Sequence, residues 1–172
     1  MSFAFGHLIG AWLLGKLFEV SSKKKLTHLT WFFFLLGGIL PDADFLIDWV
    51  FGTELHRTIT HSLFFVIFAP ILIYTIFKFL DDKRSGLYAF SLASGITAHL
   101  LLDMVIGFGV PILWPSLLHV SFSGAAYFDP STPSFLHGSR DNLVHTMKFM
   151  LFDMALGTAW IFYLWLRRRV RF

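Results

Sequence analysis

The chain has 172 residues, 56% hydrophobic and only 15% charged, with 22 Phe, 6 Trp and a mean hydropathy of +0.67. A soluble domain is about 45–50% apolar and about 25% charged, so a free cytosolic enzyme and a disordered chain are both excluded and an integral membrane protein is indicated. The lack of Cys excludes disulfides, a thiolate nucleophile and Cys-ligated zinc or iron–sulfur sites, and a net charge of +3 gathered at chain turns gives no basis for nucleic-acid binding.

Five apolar segments are predicted as membrane helices, each near the ~20 residues a span needs. The first, 3–20, is interrupted by His7 and Lys16; it lacks the basic start of a signal peptide and reads as a helix of the mature protein. The second, 29–51, is interrupted by Pro41, which ends or kinks a helix. The third, 62–80, is the cleanest, with Thr60 or Ser62 available as its cap. The fourth covers 86–111 and the fifth 149–166. Connections are short except 114–148, which is predicted to hold a short helix at 141–147 capped by Ser139. The expected architecture is an all-α, polytopic membrane helix bundle of about five transmembrane helices. It forms one domain over 1–172, with 115–147 as an outer-side loop.

Basic residues orient this topology. Lys23, Lys24, Lys25, Lys83, Arg84, Arg167, Arg168, Arg169 and Arg171 fall on one side, and Arg57, Arg140 and Lys148 on the other. The positive-inside rule makes the first side cytoplasmic, with the C-terminus inside. His7, Asp42, Asp44, Asp48, His56, His61, His99, Asp103, His119, His137 and His145 then all collect toward the extracytoplasmic side; of eight His, only His28 does not. Lys and Arg alone set the topology, so this clustering is independent of it.

The spacings point to metal. His99 and Asp103 lie one helical turn apart on one face and can bind a cation, or can lock two helices as a hydrogen-bonded pair. Asp42 and Asp44 follow Pro41; they suit either the first turn of a new helix or a cation that neutralises them. His56 and His61 need a turn to meet, and Arg57 can grip a phosphate in bidentate fashion or anchor the interface on lipid phosphates. His7 gains weight from this company. Gly6, Gly10, Gly37 and Gly38 let helices approach closely. The loop histidines His119, His137 and His145 are expected to face the interface or solvent, with one available to complete a metal shell. Mixed His and carboxylate ligands suit Zn²⁺, then Mn²⁺ or Fe²⁺, as a cluster of one to three ions able to activate water for phosphoryl displacement.

Four ordered motifs carry a resemblance: Gly6-His7-Leu8, Leu40-Pro41-Asp42-Ala43-Asp44, His56-Arg57-Thr58-Ile59-Thr60-His61-Ser62, and Ala98-His99 through Asp103 followed by Gly109-Val110-Pro111-Ile112-Leu113-Trp114-Pro115. Over residues 6–115 the chain resembles the YdjM-like family of membrane-bound metal-dependent hydrolases, some of them LexA-regulated. Thr58 stands where that family carries Gly, Ala98 where it carries Ser, and Phe45 where it often carries His. The family is in turn considered similar to zinc-dependent phospholipase C, an all-α fold with a three-zinc site. The resemblance implies that His99, Asp103 and Asp42 bind metal, with His7 and His61 as further ligands.

The expected function is a membrane-embedded metal-dependent hydrolase at the outer side of the inner membrane, cleaving a phosphoester of a membrane lipid or lipid-like substrate. His7, Asp42, His61, His99 and Asp103 hold metal; Asp44 is a ligand or the general base; His56 is an acid or supporting group and Arg57 the phosphate clamp. The rivals are a divalent-cation or proton-coupled transporter, which would need polar groups on both sides, and a non-catalytic structural protein, which would bind no metal. A zinc protease lacks its His-Glu-x-x-His motif here.

Overall fold

A computed structural model describes residues 4–53, 58–106, 109–116, 118–122, 127–128 and 140–167. The described residues are mostly helical. In chain order they form α1 (Ala4–Ser22), α2 (His28–Ile39), a 3₁₀ turn (Pro41–Ala43), α3 (Asp44–Phe51), a second 3₁₀ turn (Ile59–His61), α4 (Leu63–Phe79), α5 (Ser85–Ile106) and α6 (Arg140–Leu166). Two-residue strands β1 (Leu118–His119) and β2 (Tyr127–Phe128) pair antiparallel between α5 and α6.

The predicted segments become these helices with two differences. Pro41 has no N–H to give and its ring opposes the carbonyl one turn back, so the second segment breaks into α2 and α3, bent by 58°. The separate short helix expected at 141–147 is instead the start of α6: no Gly or Pro interrupts 140–156, and Lys148 alone does not end a helix. α5 is the one described helix long and apolar enough to cross a membrane unaided. The bent pair counts as a second when taken as one span, and Leu63–Phe79 and Leu151–Leu164 are shorter apolar helices. Within α1 the charges are internally paired: Lys16 Nζ lies 2.6 Å from Glu19 Oε2 and over the Trp31 ring, and Glu19 Oε1 accepts from Leu26 N.

α5 is the central helix, packed by α1, α2 and α4. Phe33, Ala69, Tyr88, Leu92, Ile96 and Leu100 form the core between α2, α4 and α5. The α2–α5 approach is closer than any side chain allows. A Cβ on Gly37 would stand 2.4 Å from Leu92 O, and one on Gly95 2.3 Å from Phe34 O. Gly38, one residue on, faces α1, where a Cβ would stand 2.8 Å from the Ala11 Cβ. Adjacent glycines therefore seat α2 against two helices at once.

The segment after α5 folds back. Val110 and Val120 exchange backbone hydrogen bonds of 3.1 and 3.0 Å, and Phe122 N donates to Met104 O. Ile112 O accepts from Leu63 N, an amide in the first turn of α4 that has no acceptor within its own helix. The 109–115 motif thus ties the start of α4 to the end of α5.

Gly95→Ala is expected to cost about 1–3 kcal/mol by overpacking and to lower the thermal midpoint in detergent by about 2–12 °C. Gly86→Ala, whose new Cβ meets nothing within 4 Å, is expected to leave the midpoint unchanged or raise it slightly, because Ala is the better helix former.

Candidate metal centre

Four elements converge at one end of α5. The first turns of α1 supply His7. The break after α2 supplies Asp42 in its 3₁₀ turn, and Asp44 then starts α3, where the positive end of the helix dipole favours a carboxylate. The 3₁₀ turn before α4 supplies His61, and the Ser62 side chain caps α4 by accepting from Phe65 N. α5 supplies His99 and Asp103. His7, His61 and His99 are fully buried and Asp103 nearly so, whereas the Asp42 side chain is 31% exposed. The cluster therefore opens on the Asp42 side.

Asp42, His61, His99 and Asp103 place one ligand atom each within 4.8 Å of one another. His61 Nε2 lies 3.3 Å from Asp42 Oδ1, 3.3 Å from His99 Nε2 and 3.6 Å from Asp103 Oδ2. His99 Nε2 lies 3.4 Å from Asp42 Oδ1 and 3.8 Å from Asp103 Oδ2. Tetrahedral ligands about 2.0–2.1 Å from a zinc ion stand about 3.3–3.4 Å apart. These five edges match that figure or exceed it slightly, so the four residues fit a small divalent cation. Two carboxylates also balance its charge, which buried neutral imidazoles cannot do.

The imidazoles are held from behind. His99 Nδ1 donates to Gly38 O at 2.8 Å, which leaves the Nε2 lone pair facing the cluster. At His61 the Nδ1 edge meets Thr60 Oγ1 at 3.0 Å and Asp44 Oδ2 at 3.6 Å, and the Thr60 hydroxyl in turn donates to Asp44 Oδ2. A carboxylate behind a ligating imidazole fixes its orientation and raises its basicity. Burial pushes the His61 pKa down, but hydrogen bonds to Asp42 and Asp44 outweigh it, and the pKa rises to about 8.

His7 stands on the other side of the two carboxylates. Its Nε2 lies 3.8 Å from Asp42 Oδ2 and 3.5 Å from Asp103 Oδ1, and its ring stacks on His99 with centroids 3.6 Å apart. Asp42 and Asp103 thus each turn one oxygen toward the His61–His99 pair and the other toward His7.

All five expected metal ligands, His7, Asp42, His61, His99 and Asp103, are brought together. Asp44 sits at the Nδ1 edge of His61, behind the Nε2 that faces the cluster. Asp48 accepts from Thr53 Oγ1 at 2.7 Å. His56, Arg57 and His137 lie outside the described residues, as does the side chain of His145, whose backbone belongs to α6. His119, expected at the interface or in solvent, is instead buried in β1, because the Val110–Val120 pairing folds its segment back onto the end of α5. The partners missed in the sequence are Thr60 and the Gly38 carbonyl; a backbone carbonyl carries no signal in the side chains.

A ligating imidazole must be neutral, so a cation has to displace the proton on His61. With the His61 pKa at about 8, divalent-metal affinity is expected to fall as pH drops below that value and to level off above it. Isothermal titration with zinc between pH 6 and 9 checks this, with net proton release on binding at the lower pH.

The family model described as YdjM inner membrane protein matches residues 1–170, beyond the 6–115 stretch that carries the motifs and through the last helix. No curated protein and no solved structure matches the chain. With nearly its whole length matched, the chain belongs to the YdjM inner membrane protein family.

Proposed function

We propose that this chain is a metal-dependent hydrolase of the inner membrane that cleaves a phosphoester on a lipid or lipid-like substrate. The observation that carries the reading is the spacing of Asp42, His61, His99 and Asp103, which suits a tetrahedral cation in an otherwise buried pocket open at Asp42. Zinc is the preferred ion for two imidazoles and two carboxylates, ahead of manganese or iron. The split of each carboxylate between the His61–His99 pair and His7 suits a second ion beside the first.

A bound divalent cation supplies positive charge that polarises a phosphoester and eases removal of a proton from water. The chain's own residues do the rest. His99 is fixed by Gly38 O and His61 by Thr60 and Asp44, so both present Nε2 without reorganising. Asp44 shares the charge of His61. Asp42, the part-exposed member of the cluster, marks the side from which substrate enters. Arg57 is assigned to the phosphate and His56 to proton transfer. The lipid reading draws on α3, which leaves Asp44 with Phe45, Leu46, Ile47, Val50 and Phe51 exposed, an apolar flank beside the opening.

The same reading takes α1, the bent α2–α3 pair, α4, α5 and α6 as five membrane passages. The basic residues put the C-terminus in the cytoplasm and the cluster on the extracytoplasmic side. A transporter would need polar groups lining both sides, and the cytoplasmic end carries paired or basic residues instead.

Purified protein in phospholipid nanodiscs, assayed for release of phosphorylated head groups with zinc or manganese, tests this. His99→Ala is expected to lose activity by more than about 100-fold, and Thr60→Val, which removes only a support of His61 and Asp44, by about 10- to 100-fold. No turnover in the wild type with either metal, or equal turnover in His99→Ala, would contradict the proposal, and metal flux into sealed vesicles would replace it with transport.

A further inference from the structure

The first turn of a helix has backbone N–H groups with no acceptor in their own helix. In an apolar setting each one left unsatisfied is costly. At α1 the acceptor comes from the far end of the chain. Gly6 N donates to Asp153 Oδ1 at 2.7 Å, across 147 residues of sequence, and Phe5 N donates to Asp153 Oδ2 at 3.1 Å. Asp153 is 8% exposed and sits within α6. The positive end of the α1 dipole favours a carboxylate at this place.

The contact continues along one stripe of α6. Residues 153, 157 and 160 follow at i, i+4 and i+7, so they share a face. A Cβ on Gly157 would stand 2.3 Å from the Phe5 Cγ, so the Phe5 ring lies directly on the α6 backbone. Trp160 meets Trp12 edge-on at 5.8 Å. The residue after Gly6 is His7, which is fully buried and stacked on His99.

We infer that Asp153 is a positioning residue for the metal centre: by gripping the amides of Phe5 and Gly6 it sets the depth and rotation of the first turn of α1, and so the place of His7 beside Asp42 and Asp103. This rests on the metal-centre reading of the previous section. A carboxylate is required because two N–H groups are served by two oxygens. Asn keeps one acceptor and turns a donor toward the second amide, and Ala keeps none.

The test is a double-mutant cycle in zinc affinity on the full chain in detergent, read by competition with a chromogenic chelator. It uses wild type, His7→Ala, Asp153→Ala and the double variant, with Asp153→Asn beside them. Asp153→Ala is expected to weaken zinc binding about tenfold or more, within the range for a residue that orients a ligand. The double variant is expected to bind no more weakly than His7→Ala alone, and Asp153→Asn to recover part of the loss. Wild-type affinity in Asp153→Ala, or losses that multiply in the double variant, would overturn the inference and leave Asp153 a helix cap only. If Asp153→Ala does not fold, the cycle is read with Asp153→Asn under the same criteria.

A second measurement needs no metal: the rate at which His7 is modified by diethyl pyrocarbonate, followed by mass spectrometry. His7 is expected to be protected in the wild type and modified about tenfold faster in the Asp153 variant, as a group released from its packed site. If the wild type binds no zinc yet the Asp153 variant unmasks His7, the metal reading fails and the positioning stands. If His7 stays masked, the positioning fails.

Discussion

The hydrogen bond from His99 Nδ1 to the carbonyl of Gly38 is the contact on which the arrangement of the centre depends. It does two things. It settles which nitrogen of His99 faces the cluster, and it requires the α2 backbone to lie within reach of an α5 side chain. That reach exists only because Gly37 and Gly95 let the two backbones meet where a Cβ on either would stand 2.4 Å or less from a carbonyl oxygen. The same carbonyl belongs to the turn of α2 just before Pro41, where the helix breaks and delivers Asp42. Helix contact, helix break and ligand orientation are therefore one feature of the chain, and changing any of them moves the others.

Charge explains why this end of the bundle tolerates so many ionisable groups. Carboxylates and imidazoles removed from water are costly unless paired. Here Asp42 and Asp103 face three imidazoles, and Asp44 stands behind one of them. Two carboxylates facing neutral ligands leave a charge that one divalent ion cancels. Two other carboxylates are paired without metal: Asp153 with the amides of α1, and the part-buried Glu19 with Lys16 and the amide of Leu26.

Much of this was legible in the residues. The i, i+4 pairing of His99 and Asp103 and the ordered Asp42, His61 and His7 motifs name side chains whose chemistry shows in their type, and all five converge. Pro41 was readable as a break, because its missing N–H acts locally, but the 58° angle between the two helices was not. Asp44 shares a motif with Asp42, and only the turn of the chain at 41–44 decides that it reaches the Nδ1 edge of His61. Burial of His119 was illegible for a related reason: nothing in the residues around it says that Val110 and Val120 will pair and fold the segment back. Spacing rules describe one helix at a time, and these contacts join separate elements.

The most direct measurement is elemental mass spectrometry of protein purified without chelator and replenished with zinc, comparing wild type with Asp42→Asn and Asp103→Asn, which keep side-chain volume but remove the balancing charge. At least one equivalent of divalent metal in the wild type, lost in both variants while the fold is retained, is the predicted result. A well-folded wild type with no stoichiometric metal would contradict the account and reduce the His/Asp cluster to a set of helix-joining contacts.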